Sequence, residues 1–330
     1  METRHLGRKD VSALGLGCMG MSGSYGARDE AESVATLDRA LGLGITFFDT
    51  ADVYGMGHNE ELLGRAFAGR FGQFTLATKC GLVMRDGKLG VDGSPAHITA
   101  ACERSLKRLG LDVIDLYYLH RPDSTVPIED SVGAMAALKQ AGKIRHIGLS
   151  EATADTLRRA AREHPIAALQ SEYSLFERGI EAEVMPACRE LGIAVVPFSP
   201  LGRGLLTGAI SSAGDLASQG DFRGRGFPRM EGDNLARNIA LVAKVKAIAA
   251  AHAASPAQIA LAWLLGQGPD IIPIPGSARR VTLEDNAGAL SIALTAAERE
   301  TLSTLAAAVS GERYGATAPT RTAIDTPPRR

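Results

Sequence analysis

The chain has 330 residues, 45% of them hydrophobic, and its 36 Lys and Arg residues nearly balance its 37 Asp and Glu residues. A chain of this length buries a sizeable core, whereas a net charge of −1 gives no electrostatic basis for binding nucleic acid. No uninterrupted apolar run approaches the roughly 18 residues that a membrane span requires, and the first residues lack the apolar core of a signal peptide. Composition therefore favours a soluble cytoplasmic enzyme over a disordered, fibrous or membrane protein.

Short apolar segments rich in β-branched residues alternate with amphipathic segments along the chain. The predicted strands are residues 12–18, 45–49, 75–79, 114–119, 144–149, 168–172, 194–198 and 271–274. The predicted helices between them include residues 29–43, 95–109, 127–141, 154–164 and 181–191. This alternation indicates right-handed crossovers and a parallel sheet. Eight strands in a chain of this length favour an α/β fold of the closed (β/α)8, or TIM-barrel, type.

No linker divides the chain, and we therefore predict one barrel domain over residues 1–310. Residues 202–232 form a long glycine- and arginine-rich segment after the seventh predicted strand, and a loop of that length is usually functional or disordered. Residues 311–330 are polar, and we expect a tail that is either flexible or lines a substrate pocket.

Four cysteines, Cys18, Cys80, Cys102 and Cys188, are too far apart to form a Cys-x-x-Cys motif. We expect free, mostly buried thiols of the kind that a reducing compartment preserves. No cluster of His, Cys, Asp and Glu has the spacing of metal ligands, so we expect no metal site.

The run Gly15-Leu16-Gly17-Cys18-Met19-Gly20 matches the G-x-G-x-x-G motif of dinucleotide-binding folds. That motif needs a helix directly after it, because the helix N-terminus meets the pyrophosphate. The next six residues contain glycines and polar positions that oppose a helix. The alternative is a first barrel strand that ends in a glycine loop near the ligand, and this is the interpretation that we favour.

Four side chains with acid–base chemistry stand at the ends of successive predicted strands, where barrel enzymes carry their chemistry. They are Asp49, Tyr54, Lys79 and His120. Singly, each has an ordinary structural explanation, although a lysine at an inward strand end must be exposed or paired. Together they suit carbonyl reduction. Tyr54 would donate a proton, the Lys79 ammonium would lower the tyrosine pKa, Asp49 would hold Lys79, and neutral His120 would orient the carbonyl.

Longer motifs around these residues give a family resemblance. They are Phe47-Phe48-Asp49-Thr50-Ala51-Asp52-Val53-Tyr54-Gly55, Asn59-Glu60, Leu62-Leu63-Gly64, Leu116-Tyr117-Tyr118-Leu119-His120, Ile144-Arg145-His146-Ile147-Gly148-Leu149-Ser150, Val196-Pro197-Phe198-Ser199-Pro200-Leu201-Gly202-Arg203-Gly204 and Ile274-Pro275-Gly276-Ser277. In this order, over about residues 6–305, they resemble the aldo-keto reductases. The resemblance is closest to the bacterial branch that also resembles the β subunits of voltage-gated potassium channels. It implies a TIM barrel, NADP as cofactor and the four residues above as a catalytic tetrad.

The resemblance also implies a cofactor site. Its residues would be Met19, Ser150, Gln170, Phe198, Ser199, Pro200, Leu201, Gly202, Gly276, Ser277, Arg279, Asp285 and Asn286. Ser150 and Gln170 would hold the nicotinamide carboxamide, and Phe198 would stack on the nicotinamide ring. Residues 199–202 would pass the pyrophosphate, and the residues from Gly276 to Asn286 in that list would bind the adenosine end. Glu151 stands where many members carry Asn, which leaves a cofactor contact at that position open.

Two pairs of arginines are candidates for binding cofactor phosphates. Arg279 and Arg280 follow a Gly-Ser turn and suit the 2′-phosphate of NADPH, which favours NADPH over NADH. Arg223 and Arg225, in the loop 202–232, would clamp the pyrophosphate if that loop is not disordered.

Three functions are compatible with these residues. The first is an NADPH-dependent reductase whose partner is a small-molecule aldehyde or ketone. The second is a Schiff-base aldolase, which would also place its lysine at a barrel strand end, as Lys79 is placed. The third is an NADP-binding sensor or regulatory subunit with little turnover. We predict the first, and the sequence leaves the substrate, the direction of the reaction and the oligomeric state open.

Overall fold

A parallel sheet forms the centre of the computed structural model, which describes residues 1–23, 26, 29–218, 221–224, 226–315 and 326–329. The strands are β1 (Thr3–Leu6), β2 (Lys9–Ser12), β3 (Leu16–Gly17), β4 (Phe47–Asp49), β5 (Thr75–Cys80), β6 (Leu82–Arg85), β7 (Lys88–Val91), β8 (Ile114–Leu119), β9 (Ile144–Ser150), β10 (Ala168–Glu172) and β11 (Ala194–Phe198). The helices are α1 (Glu30–Gly42), α2 (His58–Ala66), α3 (Pro95–Leu109), α4 (Ile128–Gln140), α5 (Ala154–Glu163), α6 (Val184–Leu191), α7 (Gly232–Ala251), α8 (Pro256–Leu265), α9 (Arg280–Ala287) and α10 (Ala296–Ser303). Seven strands pair in parallel in the order β11-β10-β9-β8-β5-β4-β3.

The segment predicted as the eighth strand closes the barrel without forming a regular strand. Residues 271–276 bridge Val195 of β11 on one side and Gly17 of β3 on the other, both in parallel. Gly17 N donates to Pro275 O at 3.2 Å. Pro273 and Pro275 have no N–H to donate, so the hydrogen-bond ladder is interrupted at each of them. The prediction of a (β/α)8 barrel is confirmed, with seven regular strands and one irregular closing segment.

The predicted strand 12–18 was wrong in its extent, because the chain changes direction inside it. β2 belongs to an antiparallel hairpin with β1, and only β3 joins the barrel. Leu6 and Val11 of this hairpin pack inside the barrel against Ala167 and Ala194, which lie at the starts of β10 and β11. The hairpin therefore closes the end of the barrel opposite the strand ends that carry the candidate catalytic residues.

Two apolar layers hold the barrel together. Leu116 and Tyr118 of β8 face the barrel interior, whereas Tyr117 and Leu119 pack towards the surrounding helices. This alternation follows from the two-residue period of a strand. A Cβ at Gly148 of β9 would lie 2.4 Å from the ring of Tyr118, so the interior requires glycine at that position.

Three further features of the fold concern the cysteines, helices α7 and α8, and the loop 202–232. The four cysteines are free and buried. Within the described residues, no single helix is long and apolar enough to cross a membrane, although α7 and α8 reach that length and hydropathy together across an 89° bend. The described part of the loop 202–232 forms three short helical turns, Gly202–Thr207, Ala213–Leu216 and Pro228–Met230. Arg225 lies outside the described residues.

Candidate active site

Lys79, at the end of β5, is the centre of the site. Its side chain is fully buried, and Nζ donates to Asp49 Oδ1 at 2.5 Å, to Thr50 O at 2.7 Å and to Tyr54 Oη at 3.2 Å. These three acceptors match the three N–H donors of an ammonium group. Burial lowers the pKa of Lys79, but the charges and hydrogen bonds of Asp49 and Tyr54 together outweigh burial, and the net direction is upward. The lysine is therefore charged at neutral pH.

Tyr54 and His120 face each other beside Lys79. Their rings meet edge to face, with centroids 5.7 Å apart and planes at 82°. Burial raises the pKa of Tyr54, although Lys79 opposes that rise. Burial lowers the pKa of His120 well below its usual value, and the charges of Lys79 and Arg121 lower it further. At neutral pH the site therefore offers a protonated phenol and a neutral imidazole.

The loop that carries Tyr54 is held by Asn59, a contact that sequence reasoning missed. Asn59 Nδ2 donates to Cys18 O and to Ser22 Oγ, both at 2.8 Å, and its Oδ1 accepts from Thr50 Oγ1 at 2.5 Å. Gly55, next to Tyr54, has φ 58°, and a Cβ there would lie 2.9 Å from Ser22. Backbone freedom and close packing both require glycine at this position.

A second group of charges lies behind the Tyr54 loop. Glu60 is fully buried, and it accepts from Thr78 Oγ1 at 2.5 Å and from Arg108 Nε at 2.6 Å. Asp52 Oδ1 is buried and has no hydrogen-bond partner among the described residues. Burial, with a smaller contribution from Glu60, raises the pKa of Asp52 to about 7. This carboxyl therefore titrates two residues away from Tyr54.

Ser150 and Gln170, predicted to hold the nicotinamide carboxamide, lie opposite each other in the register of β9 and β10. Gln170 Nε2 donates to Asp49 Oδ2 at 2.7 Å, and Ser150 Oγ accepts from Arg121 Nη1 at 3.0 Å. The structure thus brings both residues to the tetrad. Their role towards a cofactor stays a prediction.

Glu151 is directed away from the tetrad and into a buried cluster of charges. Its Oε1 accepts from Glu172 N at 2.8 Å, and its Oε2 pairs with Arg313 of the C-terminal segment. Arg203 binds Glu172 through two hydrogen bonds of 2.7 and 2.8 Å and donates to Tyr314 Oη at 3.0 Å. The cluster joins the ends of β9 and β10 to the loop 202–232 and to residues 311–315. Sequence reasoning did not find it, because no local pattern connects Glu151 with Arg313.

The predicted pyrophosphate residues follow β11. Phe198 is half-buried, and Ser199 and Gly202 have φ of 47° and 56°. Pro200 and Leu201 are buried between them. The loop therefore turns sharply at the mouth of the barrel.

The motif-like run 15–20 ends in a turn rather than a helix. Met19 begins the short helical turn Met19–Ser22, which has four residues. This agrees with the interpretation of a barrel strand that ends in a glycine loop.

Three residues predicted at the adenosine end lie together. Asn286 Nδ2 donates to Ser277 Oγ at 3.0 Å, and both residues are buried. Asn286 Oδ1 is buried without a hydrogen-bond partner among the described residues. Gly276 is exposed and lies beside Gly17. The unpartnered amide oxygen is an acceptor available to a ligand or to water.

The two arginines of the predicted 2′-phosphate site have different surroundings. Arg280 is paired with Glu32 of α1 at 2.8 Å, whereas Arg279 is exposed and forms no ion pair with a described residue. Asp285 accepts from Ser255 Oγ at 2.8 Å, so its carboxylate helps to cap α8. Arg279 is thus the available guanidinium of the pair. No group of three or more His, Cys, Asp or Glu among the described residues is arranged to hold a metal ion.

Comparisons with known proteins agree with the fold. The model of the Aldo/keto reductase family matches residues 13–307. The aldo-keto reductase yakc of Schizosaccharomyces pombe, named for NADP(+), is 46% identical over 335 residues, with 99% of this chain and 98% of that protein covered. A glycerol dehydrogenase from Gluconobacter oxydans superposes with a TM-score of 0.82 at 30% identity, covering 96% and 98% of the two chains. An aldo-keto reductase from Klebsiella pneumoniae, solved with NADPH, superposes with a TM-score of 0.72 at 27% identity, covering 98% and 100%. The chain therefore belongs to the aldo/keto reductase family.

Proposed function

We propose that the protein uses NADPH to reduce aldehydes or ketones to alcohols, with Tyr54 as the proton donor. The observation that carries this proposal is the contact of Lys79 Nζ with both Asp49 and Tyr54, with His120 across from the tyrosine. Membership of the family supports the reaction class. The relative named for NADP(+) and the neighbour solved with NADPH support the cofactor.

The cofactor, when bound, supplies a hydride to the carbonyl carbon. Tyr54 gives its hydroxyl proton to the carbonyl oxygen as that oxygen gains negative charge, and the product is an alcohol. Lys79 stabilises the phenolate that Tyr54 becomes, and Asp49 keeps Lys79 charged and in place. Neutral His120 donates a hydrogen bond that orients the carbonyl.

The residues present fit a dinucleotide with a 2′-phosphate. Asn286 Oδ1 lacks a hydrogen-bond partner among the described residues, which suits an N–H group such as the adenine amino group. Arg279, at the start of the helix that contains Asn286, exposes a guanidinium, which suits a phosphate. Phe198 offers a ring face at the tetrad end of the same barrel mouth.

The surroundings of Lys79 oppose the aldolase alternative. A Schiff base forms from a neutral amine, and enzymes obtain one by lowering the pKa of the lysine. The pKa of Lys79 is instead raised by Asp49, and its three N–H donors are taken. We therefore retain carbonyl reduction as the proposed activity.

The test is steady-state oxidation of NADPH by a reactive aldehyde such as 4-nitrobenzaldehyde, with the alcohol quantified in parallel. We expect one alcohol for each NADPH consumed, and no covalent adduct when the enzyme is treated with borohydride and substrate. Tight NADPH binding without turnover across a panel of aldehydes and ketones would instead indicate a sensor.

A further inference from the structure

Arg121 is a buried cation that the proposed mechanism does not use. It follows His120 at the end of β8, and only 6% of the residue is exposed. Nη1 donates to His120 O at 2.6 Å and to Ser150 Oγ at 3.0 Å. Nε is buried without a hydrogen-bond partner, and the guanidinium forms no ion pair with a carboxylate of the described residues.

Two other buried arginines of the described residues, Arg4 and Arg313, also have a buried Nε without a hydrogen bond, but each of them pairs with a carboxylate, which Arg121 does not. Arg4 donates to the carbonyls of Leu265, Gly268 and Ile271. Arg313 pairs with two carboxylates, those of Glu151 and Glu172. Burying a charge without such partners is costly unless a ligand supplies them.

The position of Arg121 directs its charge into the catalytic mouth. The guanidinium lies 5.6 Å from the ring centre of Phe198. Its charge lowers the pKa of His120 and also that of Tyr54, so its field reaches both residues that would contact a carbonyl. Because Asp49 balances Lys79 and His120 is neutral, Arg121 leaves one net positive charge at the site.

We infer that Arg121 is a specificity-determining residue that binds a carboxylate on the carbonyl substrate. The preferred substrates are therefore carboxylic acids that also carry an aldehyde or ketone group. This inference rests on the proposed function, since it names the substrate class of the same site. Nη1 is held by His120 O and Ser150, which fixes the plane of the guanidinium. The edge formed by Nε and Nη2 makes no hydrogen bond with the described residues, and its two N–H groups match the two oxygens of a carboxylate.

The test compares 2-, 3- and 4-carboxybenzaldehyde, each with its own methyl ester, as substrates with NADPH. Each pair has the same aldehyde and differs in the charge of one substituent. The measured quantity is the ratio of kcat/KM for the acid to kcat/KM for the ester. Differences in intrinsic reactivity cancel when this ratio is compared between enzyme variants.

For at least one isomer, we expect the ratio to fall ten-fold or more from wild type to Arg121→Met, the usual effect of one charge-assisted hydrogen bond. Arg121→Lys should keep part of the preference, since a point charge remains. The matched control is Arg158→Met, which removes an exposed guanidinium paired with Glu190 on the outside of the barrel and should leave the ratio unchanged.

Three results would overturn the inference, and they are distinguishable. An unchanged ratio in Arg121→Met would leave the reductase activity standing and remove the carboxylate role. Weaker NADPH binding with equal losses for acid and ester would assign Arg121 to the cofactor, through Ser150. If wild type oxidises NADPH with none of the six aldehydes, the proposed function itself is refuted.

Discussion

Replacing Lys79 with methionine removes the ammonium and keeps an unbranched side chain of similar length. Nζ lies 3.2 Å from Tyr54 Oη, and at an effective dielectric constant of about 20 a unit charge at that distance stabilises a phenolate by about 5 kcal/mol. Loss of that stabilisation should raise the pKa of Tyr54 further and make it a weaker proton donor. We expect the rate of carbonyl reduction to fall by roughly 10²–10⁴-fold, the usual contribution of a general acid.

The same substitution leaves Asp49 buried without its cation. Asp49 is 2% exposed and keeps only the hydrogen bond from Gln170 among its side-chain contacts to the described residues. Removing one partner of a buried ion pair costs about 3–5 kcal/mol. The double variant Asp49→Asn/Lys79→Met removes both charges, so it should recover most of that stability while the rate stays low. This double variant separates the chemical role of Lys79 from its effect on folding.

The assay is single-turnover oxidation of bound NADPH, followed by stopped flow, with circular dichroism as the control for folding. In wild type the rate should decline as the pH rises through the pKa of Tyr54, because the donor must be protonated. A folded, NADPH-binding Lys79→Met protein that reduces aldehydes at the wild-type rate would refute this reasoning.

Three further predictions concern the surroundings of the tetrad. Arg313→Met should lower the free energy of unfolding by about 3–5 kcal/mol, because it leaves Glu151 buried without its cation, and Glu151→Gln/Arg313→Met should restore most of it in urea unfolding. Burial raises the pKa of Asp52 from 3.8 to about 7, so the folded protein keeps this carboxyl protonated at pH values where the unfolded chain does not. As the pH rises between these two values, the free energy of unfolding of wild type should therefore fall relative to that of Asp52→Asn. That difference should reach about 4 kcal/mol by about pH 8, and a pH-independent difference would contradict it. Arg279→Ala should weaken NADPH binding about ten-fold or more and have little effect on NADH binding, as measured by fluorescence titration. Arg280→Ala should weaken NADPH binding less, because Glu32 already pairs with Arg280.

The grouping of Asp49, Tyr54, Lys79 and His120 could be predicted from the sequence because parallel strands bring their carboxyl ends to one face of a barrel. Asp49 ends β4, Lys79 is the last residue but one of β5, and Tyr54 and His120 follow the ends of β4 and β8. Strand order therefore places these side chains together. The closing segment was predicted as a strand over residues 271–274 because its apolar residues keep the strand pattern, and the structure instead shows isolated bridges at Ile271 and Gly276.

The contacts that were not predicted join residues far apart in the sequence. Glu151 and Arg313 are 162 positions apart, and no periodicity connects them. Arg279 and Arg280 are adjacent and look equivalent in the sequence, yet only Arg280 meets Glu32 of α1. The predicted strand 12–18 was wrong in its extent for a related reason. Residues 9–12 pair with β1 in a hairpin, and the local composition does not reveal that pairing.

Proton donation by Tyr54 is the central claim, and Tyr54→Phe tests it most directly. The substitution removes the hydroxyl that Lys79 contacts and leaves the ring that faces His120. Single-turnover oxidation of bound NADPH by 4-nitrobenzaldehyde should slow by roughly 10²–10⁴-fold, while NADPH affinity stays within a few-fold of wild type. Reduction by Tyr54→Phe at the wild-type rate would contradict the account.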